Sequence, residues 1–214
     1  VFIGHYGLGY IVKKKVEQVP LWLLFTSVQL LDLLAFTFVL LGIEGASYTP
    51  NQNPFLRNHL VLPYSHSLTG AFIISTAVYF IFVKRNKKQW ALVLAACVLS
   101  HWFIDFIVHL DDLSLFFGYG NIGLGLWKYP TVAFTLELAF LIFGWLLLRK
   151  LNLPSILLLI LMTASFSSML FSEEPAAVQN SDVLRTLIVL VSNGIFILLA
   201  FFSERNRRQL PSTV

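Results

Sequence analysis

Charge is what this sequence has least of. Its 214 residues include 15 Lys and Arg and 11 Asp and Glu, 12% in all, against 57% hydrophobic residues and a mean hydropathy of +0.77. A water-soluble domain carries roughly 25% charged residues. Half that charge cannot cover a water-facing surface of this size. A soluble enzyme, a disordered chain and a nucleic-acid-binding domain are therefore excluded, and the composition points to a bilayer. Cysteine is nearly absent too. Cys97 stands alone, so an internal disulfide and a four-cysteine zinc site are ruled out. Internal repeats and low-complexity segments are also missing.

What the chain does have is long apolar runs. A spanning helix needs roughly 20 mostly apolar residues. Six stretches qualify: Leu21–Ile43, His66–Val83, Trp90–Leu110, Thr131–Leu148, Pro154–Phe171 and Val183–Phe202. The segment Phe2–Val12 is too short to span and is expected either at the interface or dipping into the bundle. The first long run exceeds a signal-peptide core and contains Asp32, so it reads as a permanent helix. The expectation is an all-α polytopic transmembrane helix bundle, about six spanning helices plus a short N-terminal helix. It forms one integral membrane domain over residues 1–214, with a metal-site half at 4–140 and scaffold helices at 150–204.

The basic residues set its orientation. One set of helix ends carries Lys13, Lys14, Lys15, Lys84, Arg85, Lys87, Lys88, Arg149, Lys150, Arg205, Arg207 and Arg208; the other carries Arg57, Lys128 and Arg185. This asymmetry alternates through all six runs. It predicts cytoplasmic N- and C-termini and explains the net charge of +4 without nucleic acid. Trp22 and Trp90 fall near inner ends and Trp127 near an outer end, as interfacial aromatics do. The loops Glu44–Pro63 and Asp111–Pro130 then lie outside, as lids of any outward-facing site.

Against this apolar background, ionisable residues inside spans stand out, because each costs about 2.5–3.5 kcal/mol near the bilayer centre. They are Asp32, His66, His101, Asp105, His109 and Glu137, with His5 in the N-terminal segment. The fifth and sixth runs hold none in their interiors and read as scaffold. His101, Asp105 and His109 follow i, i+4, i+8 spacing and form one stripe, which Asp112 joins if the helix continues. Imidazole nitrogen with carboxylate oxygen is the ligand set of zinc and related divalent metals. The alternative is a chain of His–Asp hydrogen bonds tying helices together. At 1.5 Å per residue, Asp32 lies about 16 Å below the outer end, His101 about 14 Å, Glu137 about 9 Å and Asp105 about 8 Å. His66 and His109 sit at the rim. These depths describe one pocket open to the outside. His5 reaches its floor only if the first segment tilts into the bundle.

Other features have plainer readings. Gly118, Gly120 and Gly123 spell a G-x-G-x-x-G pattern, but the βαβ context is missing and a flexible outer loop is expected. Gln29 either orients Asp32 or bonds between helices. Ser65 and Ser67 cap a helix or support His66, a serine nucleophile being the lesser reading. Asn193–Gly194 reads as close packing. Glu173, Glu174 and Asp182 read as a solvated acidic loop.

At these positions the chain resembles the bacterial membrane-bound metal-dependent hydrolases, which include the LexA-binding inner-membrane branch. The matching elements are Gly4-His5, Leu30-Leu31-Asp32, Tyr64-Ser65-His66-Ser67-Leu68 and Ser100-His101-Trp102-Phe103-Ile104-Asp105. Val108-His109-Leu110-Asp111-Asp112-Leu113, Gly123-Leu124-Gly125-Leu126-Trp127 and Glu137 resemble an uncharacterised sub-branch. The likeness covers about residues 4–140. The better-known branch continues its aspartate motif Pro-Asp-x-Asp-His, where Leu33 and Leu34 stand here. It also places His and Arg where Val61 and Leu62 stand. Ligands for a second metal are thereby lost unless His109 and Asp112 replace them. The ligand order is also similar to that of zinc-dependent phospholipase C.

The resemblance implies a bacterial inner-membrane hydrolase. His5, Asp32, His66, His101 and Asp105 would hold one or two divalent ions, most simply Zn2+. Glu137, His109 or Asp112 would move the proton. A pocket in the outer half of the bilayer implies membrane lipids as neighbours and a lipid or lipid-linked (phospho)ester as substrate. Metal-ion or proton-coupled transport, or a purely structural metal site, are the alternatives.

Overall fold

The computed structural model describes residues 3–50, 52–149, 151–171 and 175–205. Phe2, Lys150, Glu173, Glu174, Arg207 and Arg208, each given a place above, lie outside the described residues. The elements run α1 (Gly4–Lys15), α2 (Leu21–Val28), α3 (Leu30–Leu40), β1 (Gly45–Tyr48), β2 (Asn58–Val61), α4 (Leu68–Lys84), α5 (Lys88–Val108), α6 (Pro130–Leu148), α7 (Leu153–Phe171), α8 (Ala176–Gln179) and α9 (Asp182–Arg205). A short 3-10 turn, Leu126–Lys128, precedes α6. The all-α expectation needs one correction. The polar loop after α3 folds into an antiparallel hairpin, β1 on β2, with Gly45 opposite Val61 and Tyr48 opposite Asn58.

Helices α5, α6, α7 and α9 are each long and apolar enough to cross a membrane, and α2 with α3 makes a fifth as a bent pair. Their outer faces carry exposed Leu, Ile, Val and Phe, such as Leu92, Phe103, Leu136, Ile160 and Val191. In a bilayer that surface meets hydrocarbon at no cost. α4, at 17 residues, is a shorter apolar helix.

The run expected as one helix from Leu21 to Ile43 is broken. Its halves meet at 56° around Gln29, whose φ of −108° and ψ of 4° lie outside the helical well. Neither glycine nor proline causes this. The Val28 carbonyl instead accepts a hydrogen bond from His101 Nδ1 at 2.6 Å. A side chain intruding on the carbonyl ladder is a recognised cause of a sharp bend.

The N-terminal segment takes the second of its two expected courses. α1 lies inside the bundle, with His5, Tyr6 and Tyr10 at most 1% exposed. Its close approach to α6 depends on two glycines. A Cβ on Gly7 would fall 2.7 Å from the Phe140 carbonyl oxygen, and one on Gly144 would fall 2.4 Å from the Gly7 carbonyl oxygen. Small residues at such a crossing let two backbones touch. Gly194, expected to serve close packing, faces open space instead.

The Lys-rich helix ends gather at one end of the bundle. Lys13 pairs with Glu204 at 2.8 Å. Glu204 also accepts the Leu21 backbone N–H, at 2.6 Å, and Asn152 reaches the Ser203 carbonyl. Above this end, Val19, Leu24, Val28, Leu94 and Cys97 form a buried apolar layer, with Phe82 and Trp90 packed against it. At the opposite end the loop expected to be flexible is folded on itself. Leu113 and Ile122 exchange backbone hydrogen bonds, and Phe116 bridges Tyr119. Gly123 lies so close to His109 and Leu110 that a Cβ would fall 1.5 Å from the Leu110 carbonyl oxygen. Trp127 is buried under this loop, stacked with Phe55, rather than sitting in an interfacial belt.

One substitution made at two glycines checks this packing. Gly144→Ala is expected to destabilise the protein by about 1–3 kcal/mol through overpacking. Gly194→Ala, on an open helix face, should be neutral or stabilising by up to about 1 kcal/mol. Thermal unfolding of both variants in detergent measures the contrast.

Candidate metal centre

One continuous helix and two breaks in regular structure bring the polar side chains together. α5 supplies His101 and Asp105 one turn apart, both buried. The bend at Gln29 turns Asp32, in the first turn of α3, toward them. The turn before α4 supplies His66. Ser67 caps α4 by accepting the Gly70 N–H at 3.0 Å, and only glycine fits at position 70, where a Cβ would fall 1.8 Å from the Tyr64 carbonyl oxygen. Trp102 Nε1 donates to the His66 carbonyl at 3.0 Å and fixes the turn on α5.

Each imidazole has its outward nitrogen set by a neighbour. His101 Nδ1 faces the Val28 carbonyl, which can only accept, so Nδ1 carries the proton and Nε2 offers its lone pair. His66 Nδ1 lies 2.9 Å from Ser65 Oγ, which leaves Nε2 directed inward. From those two nitrogens the distances are short in every direction. His66 Nε2 is 3.1 Å from Asp32 Oδ1 and 3.6 Å from Asp105 Oδ2. His101 Nε2 is 3.6 Å from Asp32 Oδ1 and 3.1 Å from Asp105 Oδ2. The two Nε2 atoms are 3.3 Å apart. A tetrahedral ion with bonds of 2.0–2.1 Å has its ligand atoms about 3.3–3.4 Å from one another. The two Nε2 atoms lie at that spacing from each other and near it, at 3.1–3.6 Å, from a carboxylate oxygen of Asp32 and of Asp105. The competing reading, a set of His–Asp hydrogen bonds, needs a proton on each Nε2, which places two N–H groups 3.3 Å apart. A cation among the donors instead takes both lone pairs and faces both carboxylates. The donor set fits a divalent metal ion.

His5 completes the cluster from α1. Its ring is fully buried and stacks on His101 at 3.8 Å and 18°. Its Nε2 is 3.6 Å from Asp105 Oδ1 and 3.3 Å from the His101 carbonyl oxygen. Two triads, His5–His101–Asp105 and Asp32–His66–His101, have the compactness a metal site needs, and they share His101. Because one His101 nitrogen already holds Val28, only the other could ligate an ion, and the two triads could not both use it for separate ions.

The other expected residues fall around this centre in different ways. His109 ends α5, with Nε2 3.9 Å from Asp105 Oδ2 and Nδ1 3.2 Å from Asp112 Oδ1. The helix does not continue to Asp112; the chain turns after Val108 and brings Asp112 back. Burial opposes ionisation of Asp112 most strongly, but the hydrogen bond and charge of His109, with a backbone hydrogen bond and His59, together outweigh it and hold the carboxyl below its usual range. Glu137, expected to converge on the pocket, instead accepts the Ile3 and Gly4 backbone N–H groups at 3.2 and 3.4 Å. It binds the first turn of α1, where a helix presents unsatisfied donors, and so places His5 from behind. Gln29 does both things expected of it, bonding Asp32 Oδ2 at 3.4 Å and Asn193 on α9 at 3.0 Å. Tyr6 donates to the same Asn193 oxygen. Ser65 supports the imidazole while Ser67 caps.

Glu44 belongs to this centre although sequence reasoning gives it no role beyond opening a polar loop. It is buried and accepts the Tyr64 and Ser65 N–H groups and the Ser65 hydroxyl, at 2.9, 2.8 and 2.7 Å. Nothing local signals this, because 21 residues separate it from Ser65. Asn193, expected to serve packing, is likewise a polar hub.

The centre is reached through two adjoining cavities. The inner, about 470 Å³, is lined by Asp32, His66, Asp105 and His109 and walled by apolar groups including Phe166 and Phe196. The outer, about 390 Å³, shares Phe36, His109 and Trp127 with it and extends to Asp112 and Arg185, at the end away from the Lys-rich turns.

Purified protein given Co2+ should therefore show the visible absorption of a four-coordinate ion at one equivalent. His101→Ala and Asp105→Ala should abolish that signal, while Asp112→Asn should retain it.

Comparison with protein-family models, with curated proteins and with solved structures yields no match to this chain.

Proposed function

We propose that this chain is a membrane-embedded, metal-dependent hydrolase of a lipid or lipid-linked ester or phosphoester. One observation carries the reading. Asp32, His66 and Asp105 belong to the donor cluster and also line an apolar-walled cavity. A purely structural metal is enclosed by its ligands; here the ligands face a chamber of substrate size. The sequence resemblance to the membrane-bound metal-dependent hydrolases supports the same class and an inner-membrane location.

Asp32, His66, His101 and Asp105 would hold one ion, with His5 packed behind Asp105. Mixed imidazole nitrogen and carboxylate oxygen donors favour zinc. A divalent ion held there supplies Lewis acidity toward an ester or phosphoryl oxygen and toward water. The chain's own groups do the rest. His109 lines the cavity, with Nε2 3.9 Å from Asp105 and Nδ1 tied to Asp112, so it is placed to move a proton beside the ion. The apolar walls hold the hydrocarbon part of the substrate and limit water. Under the positive-inside rule, the Lys-rich end and both termini lie in the cytoplasm. α4 would then complete six spans with α2–α3, and the cavities would open toward the outer leaflet.

Transport is the second reading, favoured by the broken α2–α3 span, since transporters place binding sites at such breaks. The buried layer of Val19, Leu24, Val28, Leu94 and Cys97 opposes it. That layer closes the bundle between the cluster and the Lys-rich end, and the bend already has a local cause in His101.

The decisive experiment incubates the zinc-loaded full chain with a panel of phospholipids and lipid-linked phosphates and detects products by mass spectrometry. Turnover is expected, falling about 10²–10⁴-fold in His109→Ala with metal content unchanged. Metal movement into proteoliposomes without lipid turnover would favour transport, and protein that binds no metal would sink the hydrolase reading.

A further inference from the structure

We infer that Glu44 is a positioning residue for the metal centre, acting through Ser65 to fix the tautomer of His66 and with it the affinity for the ion. This rests on the metal reading of the preceding subsection. A directed chain of hydrogen bonds carries it. Glu44 Oε1 accepts two backbone N–H groups, from Tyr64 and Ser65, at 2.9 and 2.8 Å. Its Oε2 accepts the Ser65 hydroxyl at 2.7 Å. The hydroxyl proton is thus committed to Glu44, and Ser65 Oγ faces His66 Nδ1 at 2.9 Å only as an acceptor. Nδ1 must therefore carry the imidazole proton, leaving the Nε2 lone pair aimed at Asp32 and Asp105. A carboxylate behind a ligating histidine sets its tautomer and basicity in many metal sites; here a serine hydroxyl is interposed. All three residues are almost fully buried, so water does not compete for these bonds.

The direction of the chain makes an isosteric substitution informative. In Glu44→Gln, two backbone N–H donors still face the Oε1 position, so the amide oxygen must stay there. The amide NH2 then points at Ser65 Oγ and donates to it. The hydroxyl is forced to turn its proton toward His66 Nδ1, which becomes the acceptor. The imidazole proton moves to Nε2, where it blocks ligation. Ser65→Ala has a milder effect: it removes the bridge, keeps both Glu44 contacts to the backbone and leaves His66 without an imposed tautomer.

The test uses the detergent-purified full chain, with Co2+ binding measured by competition and the imidazole nitrogens of His66 read by 15N NMR in the metal-free protein. Wild type should show protonated Nδ1. Glu44→Gln should show protonated Nε2 and bind Co2+ about 10–100-fold more weakly. Ser65→Ala should show a tautomer mixture and an intermediate loss, with metal-free thermal stability close to wild type. Adding Ser65→Ala to Glu44→Gln should not weaken binding further. A merely structural Glu44 would lower thermal stability without moving the His66 tautomer. Unchanged tautomers, or Co2+ affinity within twofold of wild type in both single variants, would overturn the proposal. A wild type that binds no Co2+ would overturn the metal reading itself.

Discussion

The hydrogen bond from His101 Nδ1 to the Val28 carbonyl governs much of this structure. A buried imidazole needs a partner for its N–H, and a helix carbonyl is the one within reach. Taking that carbonyl bends the first long apolar run by 56° at Gln29. The bend turns Asp32 toward α5, and the same bond leaves His101 Nε2 free to face Asp32, Asp105 and His66. One contact thus shapes a helix, selects a tautomer and orients a donor. Without it, a straight helix would carry Asp32 past the cluster, and its charge would lie uncompensated among apolar groups.

The rest of the molecule protects that arrangement. α1 brings His5 against His101, held by Glu137 at its first turn and by the Gly7–Gly144 approach along its length. Gln29 bonds Asp32 directly, Asn193 holds Gln29 and accepts from Tyr6, and Glu44 reaches His66 through Ser65, so four separate segments support the cluster. Helices α7 and α9 are more than scaffold, since Phe166 and Phe196 wall the cavity and Asn193 anchors Gln29. A buried polar network is costly unless its members are paired. Here the pairing is supplied by residues that carry no chemistry of their own.

The donors are legible in the amino-acid sequence because charge is expensive in a bilayer. His5, Asp32, His66, His101 and Asp105 stand out as ionisable groups in apolar surroundings, and the i, i+4 step puts His101 and Asp105 on one face of α5. Glu137 stands out on the same grounds, yet it serves the end of α1. Cost of burial identifies a group that must have a partner; it does not say whether the partner is a metal or a helix terminus. Glu44 is illegible for the complementary reason. At the end of an apolar run it looks like ordinary interfacial charge, and its partners lie beyond both strands of the hairpin.

By itself the sequence determined that the chain is built of apolar helices and which few polar groups its interior must accommodate, because hydropathy and helical periodicity are local properties. It also separated a Lys-rich set of helix ends from a Lys-poor one. Only the tertiary structure decided that the first long run breaks, that α1 enters the bundle and that the polar loop after α3 becomes a hairpin with a buried carboxylate at its base. Those outcomes depend on contacts between residues far apart in sequence: an imidazole on α5 with a carbonyl on α2, a glycine on α1 with a glycine on α6, Glu44 with Ser65. No periodicity within a single segment encodes them.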